Sequence, residues 1–398
     1  MRIATTTIYQ LATQALLNQQ AALAKTQNQV ATGKRVQTPA DDPVAAVQLH
    51  ELARSQAQYQ QYDKNSIAVT GRLQLEEQAL ADTGTVLQRA RELVLQANTA
   101  TLNDSDRKSI ATELKSRLDE LMSIGNRKDA NGEYLFAGYS TAAQPFARGA
   151  SGSVQYFGDS GARRLEVDPT LQVQDSDPGS HLFMNIPAGN GLFVTGASSG
   201  NTGSGVIDAG SIVSRAAWVA GAYTLSFITP TTWQVNDSGG ALIASGNYSS
   251  GGVIAFNGVQ IGISGVPAAA DQFTVGSAGT QDVFTTLDGI IAALDSGASG
   301  DAQRAQFNSA LNGSLQQLDQ ANDQLLNVRS QVGARLSMLE DSDSARHAQL
   351  IDLESAAGQL GGLDYAAAVS KMSQQYLGLQ AAQQSFASIS KLSLFNYL

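Results

Sequence analysis

Over a long stretch of the N-terminal half, every seventh residue is apolar, and a single serine is the exception. This interval is typical of a long amphipathic helix, because seven residues complete about two helical turns. The pattern predicts a helix from 44 to about 97, roughly 80 Å long at a rise of about 1.5 Å per residue. The positions that keep the register are Leu52, Tyr59, Ser66, Leu73, Leu80, Leu87 and Val94.

The C-terminal half carries a matching pattern. Apolar residues recur at intervals of seven from Leu311 to Leu339, and the register resumes after Arg346. Between the two long patterns, the polar segment 98–105 ends the first helix, and a second, shorter helix is predicted to run to about Lys128. A long amphipathic helix cannot cover its own apolar stripe. The sequence therefore predicts a bundle in which the N-terminal and C-terminal segments pack together.

Each end of the chain carries a further amphipathic helix with very few charges. Residues 1–33 and 366–398 have two basic residues each and no acidic residue, although the chain has 35 acids. Apolar positions in the C-terminal end follow the alternating spacing of three and four that is typical of a coiled-coil seam. We predict that these two helices pair with each other or with other chains. The predicted assembly interface consists of Leu16, Leu23, Val30, Val369, Met372, Tyr376, Leu379 and Phe386.

The composition of the chain changes abruptly between 178 and 281. This region holds 19 of the 38 glycines and only four charged residues. Short alternating runs such as 223–228 and 253–256 are separated by turns rich in Gly and Asn, which is typical of an antiparallel β domain. A smaller β element is predicted before it, from 131 to 157, with 133–136 as one of its strands.

The predicted fold is therefore mainly α with an inserted β domain: a long-helix coiled-coil bundle built from both chain ends, plus a central antiparallel β domain. Three regions are predicted. Residues 1–43 with 356–398 form an assembly domain of terminal coiled-coil helices. Residues 44–177 with 282–355 form a helical bundle with a small β element, and 178–281 form the inserted Gly-rich β domain.

Composition narrows the possible functions. The net charge of −10 and the pI near 4.8 argue against nucleic-acid binding, which requires a basic face. The absence of Cys excludes disulfides and thiolate metal sites, and the three dispersed histidines do not suggest a metal cluster. We expect no cofactor and no metal. No stretch approaches the roughly 20 apolar residues of a membrane span, and the first ten residues lack the apolar core of a secretory signal.

The residues after the first terminal helix read as a helix stop, a turn and a helix start. Gly33 suits a left-handed helix C-cap, while Pro39 and Pro43 prevent the helix from continuing. Asp41 or Asp42 can cap the long helix, with Pro43 in its first turn. We predict that these five residues form a structural hinge and cap.

Four segments resemble a known family. The segment 32–46, Thr-Gly-Lys-Arg-Val-Gln-Thr-Pro-Ala-Asp-Asp-Pro-Val-Ala-Ala, resembles the N-terminal signature of the flagellin superfamily. The segment 129–146, Asp-Ala-Asn-Gly-Glu-Tyr-Leu-Phe-Ala-Gly-Tyr-Ser-Thr-Ala-Ala-Gln-Pro-Phe, is similar to a hairpin of the hook-associated protein 3 family within it. Val-Gly-Ala-Arg-Leu at 332–336 and Leu-Ser-Leu-Phe-Asn-Tyr-Leu at 392–398 resemble the C-terminal helices of that family, whereas flagellins typically carry a Leu-Leu pair near the end.

The resemblance covers about 1–146 and 300–398 and implies a structural subunit of the bacterial flagellum that joins the hook to the filament. Such a subunit is expected to pass the flagellar type III export channel without a cleaved signal peptide and to act outside the cell. The implied partners are hook-associated protein 1, flagellin and copies of the same chain, with an export chaperone and the export apparatus. Neither nucleic acid nor a membrane is expected as a partner.

Other functions stay open at this stage. A filament flagellin would share the terminal helices but would polymerise by itself. A secreted adhesin or enzyme would have to use 178–281, because no nucleophile-elbow or dinucleotide motif occurs elsewhere. The Asp41-Asp42 pair reads as helix caps and not as an acid–base dyad. The chain is therefore expected not to be an enzyme.

Two further acidic pairs superficially resemble calcium ligands. They are Asp175 with Asp177, and Asp341 with Asp343. The first pair lacks the Gly and the distal Glu of an EF-hand loop, and the second lies in a helical stretch. All four carboxylates are expected to be solvated.

Overall fold

A computed structural model describes residues 5–99, 102–150 and 152–391. Its helices are α1 (Thr5–Thr32), α2 (Pro43–Ala97), α3 (Asp104–Gly125), α4 (Val283–Ser296), α5 (Asp301–Gly361) and α6 (Tyr365–Lys391). The two long helices predicted from the seven-residue pattern are thus present as α2 and α5. Residues 392–398, which carry the predicted C-terminal motif, lie outside the described residues.

The chain divides into two compact units. One unit contains residues up to Lys64 and from Ser342, and the other runs from Asn65 to Asp341. The helices α1 and α6 belong to the first unit and pack against each other. The second unit contains α3, α4 and all the strands, because every one of them lies between Asn65 and Asp341.

The helical part of the second unit has one apolar core. The seven-residue registers of α2 and α5 meet in it, and α3 and α4 close it from the side. The buried register positions are Leu73, Leu80, Leu87, Val94, Leu311, Leu318, Leu325, Val332 and Leu339. Helix α3 begins at a capping box, in which the Asn103 side chain accepts a hydrogen bond from the Asp106 amide at 2.9 Å.

In the first unit, the seam position after Leu339 is occupied by a fully buried arginine. The side chain of Arg346 pairs with Asp343 on its own helix, and its Nε lies 3.7 Å from Oδ1 of Asp63 on α2. A buried charge in an apolar seam needs a partner at one fixed height, so this pair favours one register of α2 against α5. Asp341 is exposed, in agreement with the expectation of a solvated carboxylate, and the Asp343 side chain is 35% exposed beside Arg346.

The small β element consists of two hairpins. Strand β1 (Phe146–Arg148) pairs with β2 (Val154–Tyr156), and β3 (Arg164–Asp168) pairs with β4 (Leu171–Gln174). The predicted strand 133–136 was wrong, because this segment forms turns.

The cause lies in the side chain of Asp129. Its Oδ1 accepts hydrogen bonds from the amides of Asn131 at 2.9 Å and Glu133 at 3.0 Å. These bonds close a turn, and the pairing that remains is a single bridge between Lys128 and Tyr134.

The inserted region forms an antiparallel β domain with its own core, as predicted. A five-stranded sheet has the order β11-β10-β9-β14-β6, and a second sheet joins β12, β13, β7 and β8. Its apolar residues alternate inward, as in Tyr223, Leu225 and Phe227 of β9. The strands are β6 (Phe193–Ala197), β7 (Val206–Ile207), β8 (Ser211–Ile212), β9 (Ala222–Thr229), β10 (Thr232–Asp237), β11 (Leu242–Asn247), β12 (Val253–Phe256), β13 (Val259–Ser264) and β14 (Gln272–Ser277).

The chain enters and leaves this domain through a paired neck. Strand β5 (Ile186–Pro187) pairs with β15 (Thr280–Gln281), and a π-helical turn (Ser180–Met184) precedes β5. Leu182, Phe183 and Ile186 pack into the helical core and not into the β core. The neck thus fixes the β domain to the helical core, and Gln306 and Ser309 of α5 hold it at Asn201 and Ile207 as well.

Asp175 and Asp177, in the segment that leads to this neck, are 1% and 5% exposed, so their predicted solvation was wrong. Asp175 Oδ2 lies 2.6 Å from Arg163 Nη2 and 3.2 Å from Arg72 Nε. Asp177 Oδ2 lies 2.7 Å from Arg335 Nη1. Arg72 and Arg335 come from α2 and α5, far away in sequence, which is why a local motif gave no sign of them.

Phe146 lies at the centre of the aromatic core between the helices and the hairpins. Its ring is fully buried, with ring centroids 5.3 Å from Phe183 and 5.2 Å from Phe284. Gly125 and Gly179 lie so close that a Cβ on either would stand 2.8 Å and 2.7 Å, respectively, from ring atoms of Phe146. Small residues on both sides thus create the space for the ring.

We predict that Phe146→Ala lowers the free energy of unfolding by about 3–5 kcal/mol, because the cavity cannot be refilled by its neighbours. The matched control is Phe157→Ala, since the Phe157 side chain is 54% exposed and its removal should cost under about 0.5 kcal/mol. Urea unfolding followed by helical circular dichroism measures both. Equal losses in the two variants would contradict this description of the core.

Candidate assembly surface

The eight predicted interface residues lie on α1 and α6, the pair of helices that pack together in the first unit. Leu23 and Leu379 are buried between the helices, at 8% and 9% exposure. The Tyr9 and Phe386 rings meet edge to face with centroids 6.1 Å apart. Half-buried positions are Leu16, Val30, Met372 and Phe386, while Val369 and Tyr376 remain 44% and 55% exposed.

The buried stripe of α6 is rotated relative to the predicted seam. It consists of Ala368, Met372, Gln375, Leu379, Ala382 and Phe386. The alternating spacing of three and four predicts Val369 and Tyr376, which lie next to Ala368 and Gln375 of the buried stripe. On the buried side, Gln19 Nε2 of α1 donates to the Gln375 carbonyl at 3.3 Å. Small residues allow the close approach of the two helices that this bond requires.

Large apolar side chains remain exposed beside this pair. Tyr365, Val369 and Tyr376 lie on one side of α6, flanking the buried stripe. Sequence reasoning missed several further exposed positions, because they interrupt the seven-residue spacing: Leu11 (65%), Leu17 (54%) and Leu377 (67%). An apolar face of this kind on a nearly uncharged surface is typical of a protein–protein contact.

The turn after α1 is joined to the turn between α5 and α6. The Arg35 amide donates to the Gly361 carbonyl at 2.8 Å, and the Leu363 amide donates to the Gly33 carbonyl at 3.0 Å. Gly33 has a φ of 69°, and a Cβ there would lie 2.7 Å from the hydroxyl oxygen of Tyr365. Both the left-handed backbone and the close contact therefore require glycine.

Asp41 and Asp42 hold this turn with different partners. Asp41 Oδ1 pairs with Lys25 at 2.5 Å, and its Oδ2 accepts from the Thr38 amide at 2.9 Å. The Lys25 ammonium, followed by the backbone amides, holds the pKa of Asp41 far below its usual range. Asp42 Oδ1 accepts from the Ala45 amide at 3.1 Å, at the start of α2. That bond, followed by the Arg35 side chain, lowers the pKa of Asp42.

Both carboxyls are thus stabilised in their charged forms, whereas an acid–base pair needs one carboxyl that holds its proton. Pro43 begins α2, and Pro39 lies in the turn. These side chains hold a turn and do not form a proton-transfer site.

An apolar groove of about 980 Å³ lies along this turn. Its walls are the turn itself, the first turns of α2 and the end of α5. Lys34 and His50 are its basic side chains, and it is lined by no acid. Apolar and small lining residues include Val36, Pro39, Pro43, Val47, Leu49, Ala357, Gly358 and Gly361.

Two other kinds of site were sought in the described residues. Within 5–99, 102–150 and 152–391, no cluster of three or more His, Asp or Glu side chains is placed to hold a metal ion. Over the same residues, no helix combines the length and the apolar character that crossing a membrane requires.

Comparison with known proteins agrees with this architecture. The bacterial flagellin N-terminal helical region matches residues 3–141, and the bacterial flagellin C-terminal helical region matches residues 315–398. The flagellar hook-associated protein 3 of Escherichia coli K12 is 28% identical over 396 residues, which is 99% of each chain.

Solved structures agree too. The crystal structure of Xanthomonas campestris FlgL is 36% identical with a TM-score of 0.73, covering 77% of this chain and 99% of that one. The flagellar junction protein FlgL of Legionella pneumophila is 30% identical with a TM-score of 0.72, covering 79% of this chain and 100% of that one. The chain therefore belongs to the flagellin superfamily, in its hook-associated protein 3 (FlgL) branch.

Proposed function

We propose that this chain is a structural subunit of the bacterial flagellum that joins the hook to the filament, and that it is not an enzyme. The observation that carries the proposal is the uncharged apolar face of α1 and α6, which the chain itself leaves partly uncovered. The relatives that match over nearly their whole length are hook-associated and junction proteins. This full-length match favours a junction subunit over a filament flagellin.

Assembly would work by burying this face against neighbouring subunits. Exposed Leu, Val and Tyr side chains each contribute roughly 1.5–3 kcal/mol when they are fully buried. The lack of acids on α1 and α6 keeps the desolvation cost of this burial low, because few charges must leave water. Contacts between different faces of identical subunits are head-to-tail, and such contacts generate rings or open helices.

The expected partners follow from the position of such a junction. Hook-associated protein 1 would lie on the hook side, flagellin on the filament side, and copies of this chain beside it. The groove at Gly33–Pro43 would receive an apolar helix face of a neighbouring subunit. We further propose export through the flagellar channel with a chaperone, and action outside the cell.

We predict that Tyr376→Asp prevents assembly of the subunit. Because Tyr376 is 55% exposed, the change should leave the fold of the isolated chain intact while placing a charge in the assembly contact. When this variant is expressed in a strain that lacks its own junction subunit, we expect no filaments to form. The matched control is Gln374→Asp, which adds the same charge about 200° away around α6. Filament yield equal to wild type in the Tyr376 variant would contradict the assigned surface.

The second prediction concerns the ends of the isolated chain. Of the described side chains, α1 buries Leu23 and Thr26 and α6 buries Ala368 and Leu379, whereas the shorter α3 buries eight residues. We therefore expect fast hydrogen exchange in 1–33 and 366–398, but protection in 44–140 and 300–355. Equal protection of both regions, measured by mass spectrometry, would identify the ends as ordinary intramolecular core.

The third prediction concerns the turn at Gly33. Gly33→Ala should destabilise the assembled form by about 1–2 kcal/mol through the left-handed φ, with the contact to Tyr365 in addition. We expect filaments to detach from hooks at a lower temperature, with partial rescue by Tyr365→Phe, which removes the contacting hydroxyl. Gly313→Ala is the control, because a Cβ there meets no atom within 4 Å. Unchanged detachment in Gly33→Ala would refute the role of this turn.

A further inference from the structure

A cluster of buried charges lies where the segment 175–177 crosses α2 and α5. On α2, Arg72 Nη1 lies 2.5 Å from Asp129 Oδ2, and its Nε lies 3.2 Å from Asp175 Oδ2. On α5, Arg335 holds Asp177 through both guanidinium nitrogens, at 2.7 Å and 3.1 Å. The apolar seam of the bundle is thus interrupted by ion pairs at this height.

Glu76 on α2 is the one carboxyl of this cluster that has no cation of its own. It is 0% exposed, and its Oε1 accepts a hydrogen bond from the Asp177 amide at 3.0 Å. Its Oε2 is buried without a hydrogen-bond partner. An ionised Glu76 would therefore place an uncompensated charge in a low-dielectric site beside the carboxylate of Asp177.

We propose that Glu76, Asp177 and Arg335 form a proton-dependent lock. When Glu76 carries a proton, segment 175–177 is held on α2 and α5. When the proton is lost, repulsion between Glu76 and Asp177 favours release of the segment.

The guanidinium groups around Glu76 are already paired with other carboxylates, so Glu76 is the group of this cluster that takes up a proton. Arg335 is fully engaged by Asp177, and Arg72 is shared between two other elements. With Glu76 ionised, the cluster has five carboxylates and three guanidinium groups. Its members are Arg72 and Glu76 on α2, Asp129 and Glu133 before β1, Arg163 before β3, Asp175 and Asp177 in the crossing segment, and Arg335 on α5.

The direction of the pH dependence follows from the state that binds the proton. Burial, followed by the charge of Asp177, raises the pKa of Glu76 well above its usual value of 4.5. The closed lock binds the proton more tightly than the open one. Raising the pH from about 4.5 therefore favours opening, by up to about tenfold per pH unit, until the pH reaches the raised pKa of the closed state.

Release would act on the neck of the β domain. Segment 175–177 is followed directly by the π-helical turn and β5, which attach the inserted domain to the helical core. Loosening this segment would give the inserted domain more freedom on its attachment. The lock would thus hold the domain most firmly under mildly acidic conditions.

The test is hydrogen exchange of residues 172–184 in the full chain, corrected for the intrinsic exchange rate at each pH. We expect wild-type protection to fall as the pH rises from 5, by up to about tenfold per pH unit. Glu76→Gln keeps the shape and stays neutral, so its protection should be independent of pH. Glu77→Gln is the control, because Glu77 is half-buried like its partner Arg329 and pairs with that residue and not with the cluster around Asp177. It should behave as wild type.

Two outcomes would overturn the proposal. One is a parallel loss of protection in wild type and Glu76→Gln. The other is spectroscopic: at pH 5 the infrared spectrum of the wild type should contain the carbonyl stretch of one protonated carboxyl that the spectrum of Glu76→Gln lacks. If the two spectra do not differ in this band, Glu76 is ionised and the lock does not exist. Neither measurement depends on flagellar assembly, so the proposed function would stand or fall separately.

Discussion

The structure depends on one constraint: the apolar stripe of α2 can be covered only by a segment from the other end of the chain. Each of the two long helices presents a stripe that recurs every seven residues, and a lone helix in water would expose all of it. In the second unit the two stripes meet, with Leu325 close enough to Gly84 that a Cβ there would lie 3.2 Å from it. This pairing leaves the middle of the chain free to form a separate domain, because both ends of the insertion return to the same bundle. The pair of short strands β5 and β15 attaches it there, together with hydrogen bonds from Gln306 and Ser309 of α5.

The candidate assembly surface exists because α1 and α6 cover each other's apolar residues only in part. Helices α1 and α6 also cover each other, but their contact buries few side chains and leaves Tyr376 and Leu377 in water. The desolvation free energy of a surface without acids is small, so further burial is favourable whenever a complementary surface is present. The turn at Gly33 sets where the two terminal helices begin relative to the ends of α2 and α5. Asp41 and Asp42 maintain the shape of this turn and do not act as an acid–base pair.

The fold could be predicted from the sequence wherever it follows from a repeated local pattern. The seven-residue spacing placed α2 within one residue at its start, and alternation with Gly and Asn turns identified the β domain. Prediction failed where a particular side-chain contact decides the outcome. The segment 133–136 looks like a strand, but the Asp129 side chain holds it in turns. Asp175 and Asp177 look like surface residues until the fold brings Arg72 and Arg335 to them. In the assembly surface, the spacing of three and four selects Val369 and Tyr376, which lie exposed beside the stripe that α6 buries. Their place in a contact between subunits stays a prediction.

The charged residues buried in the helical seams explain why predictions from the sequence fail at particular places. An apolar seam tolerates sliding by one heptad, because each Leu resembles the next; a buried ion pair does not, because displacement leaves a charge without its partner. Arg346 with Asp63 and Arg335 with Asp177 each sit at such a position, so each favours a single register of its segments. Buried pairs of this kind contribute little net stability, since the desolvation of both ions offsets their attraction. Their contribution is specificity, and it depends on every charge being matched. Glu76 is the group for which the match is incomplete, and a proton is the smallest change that can complete it.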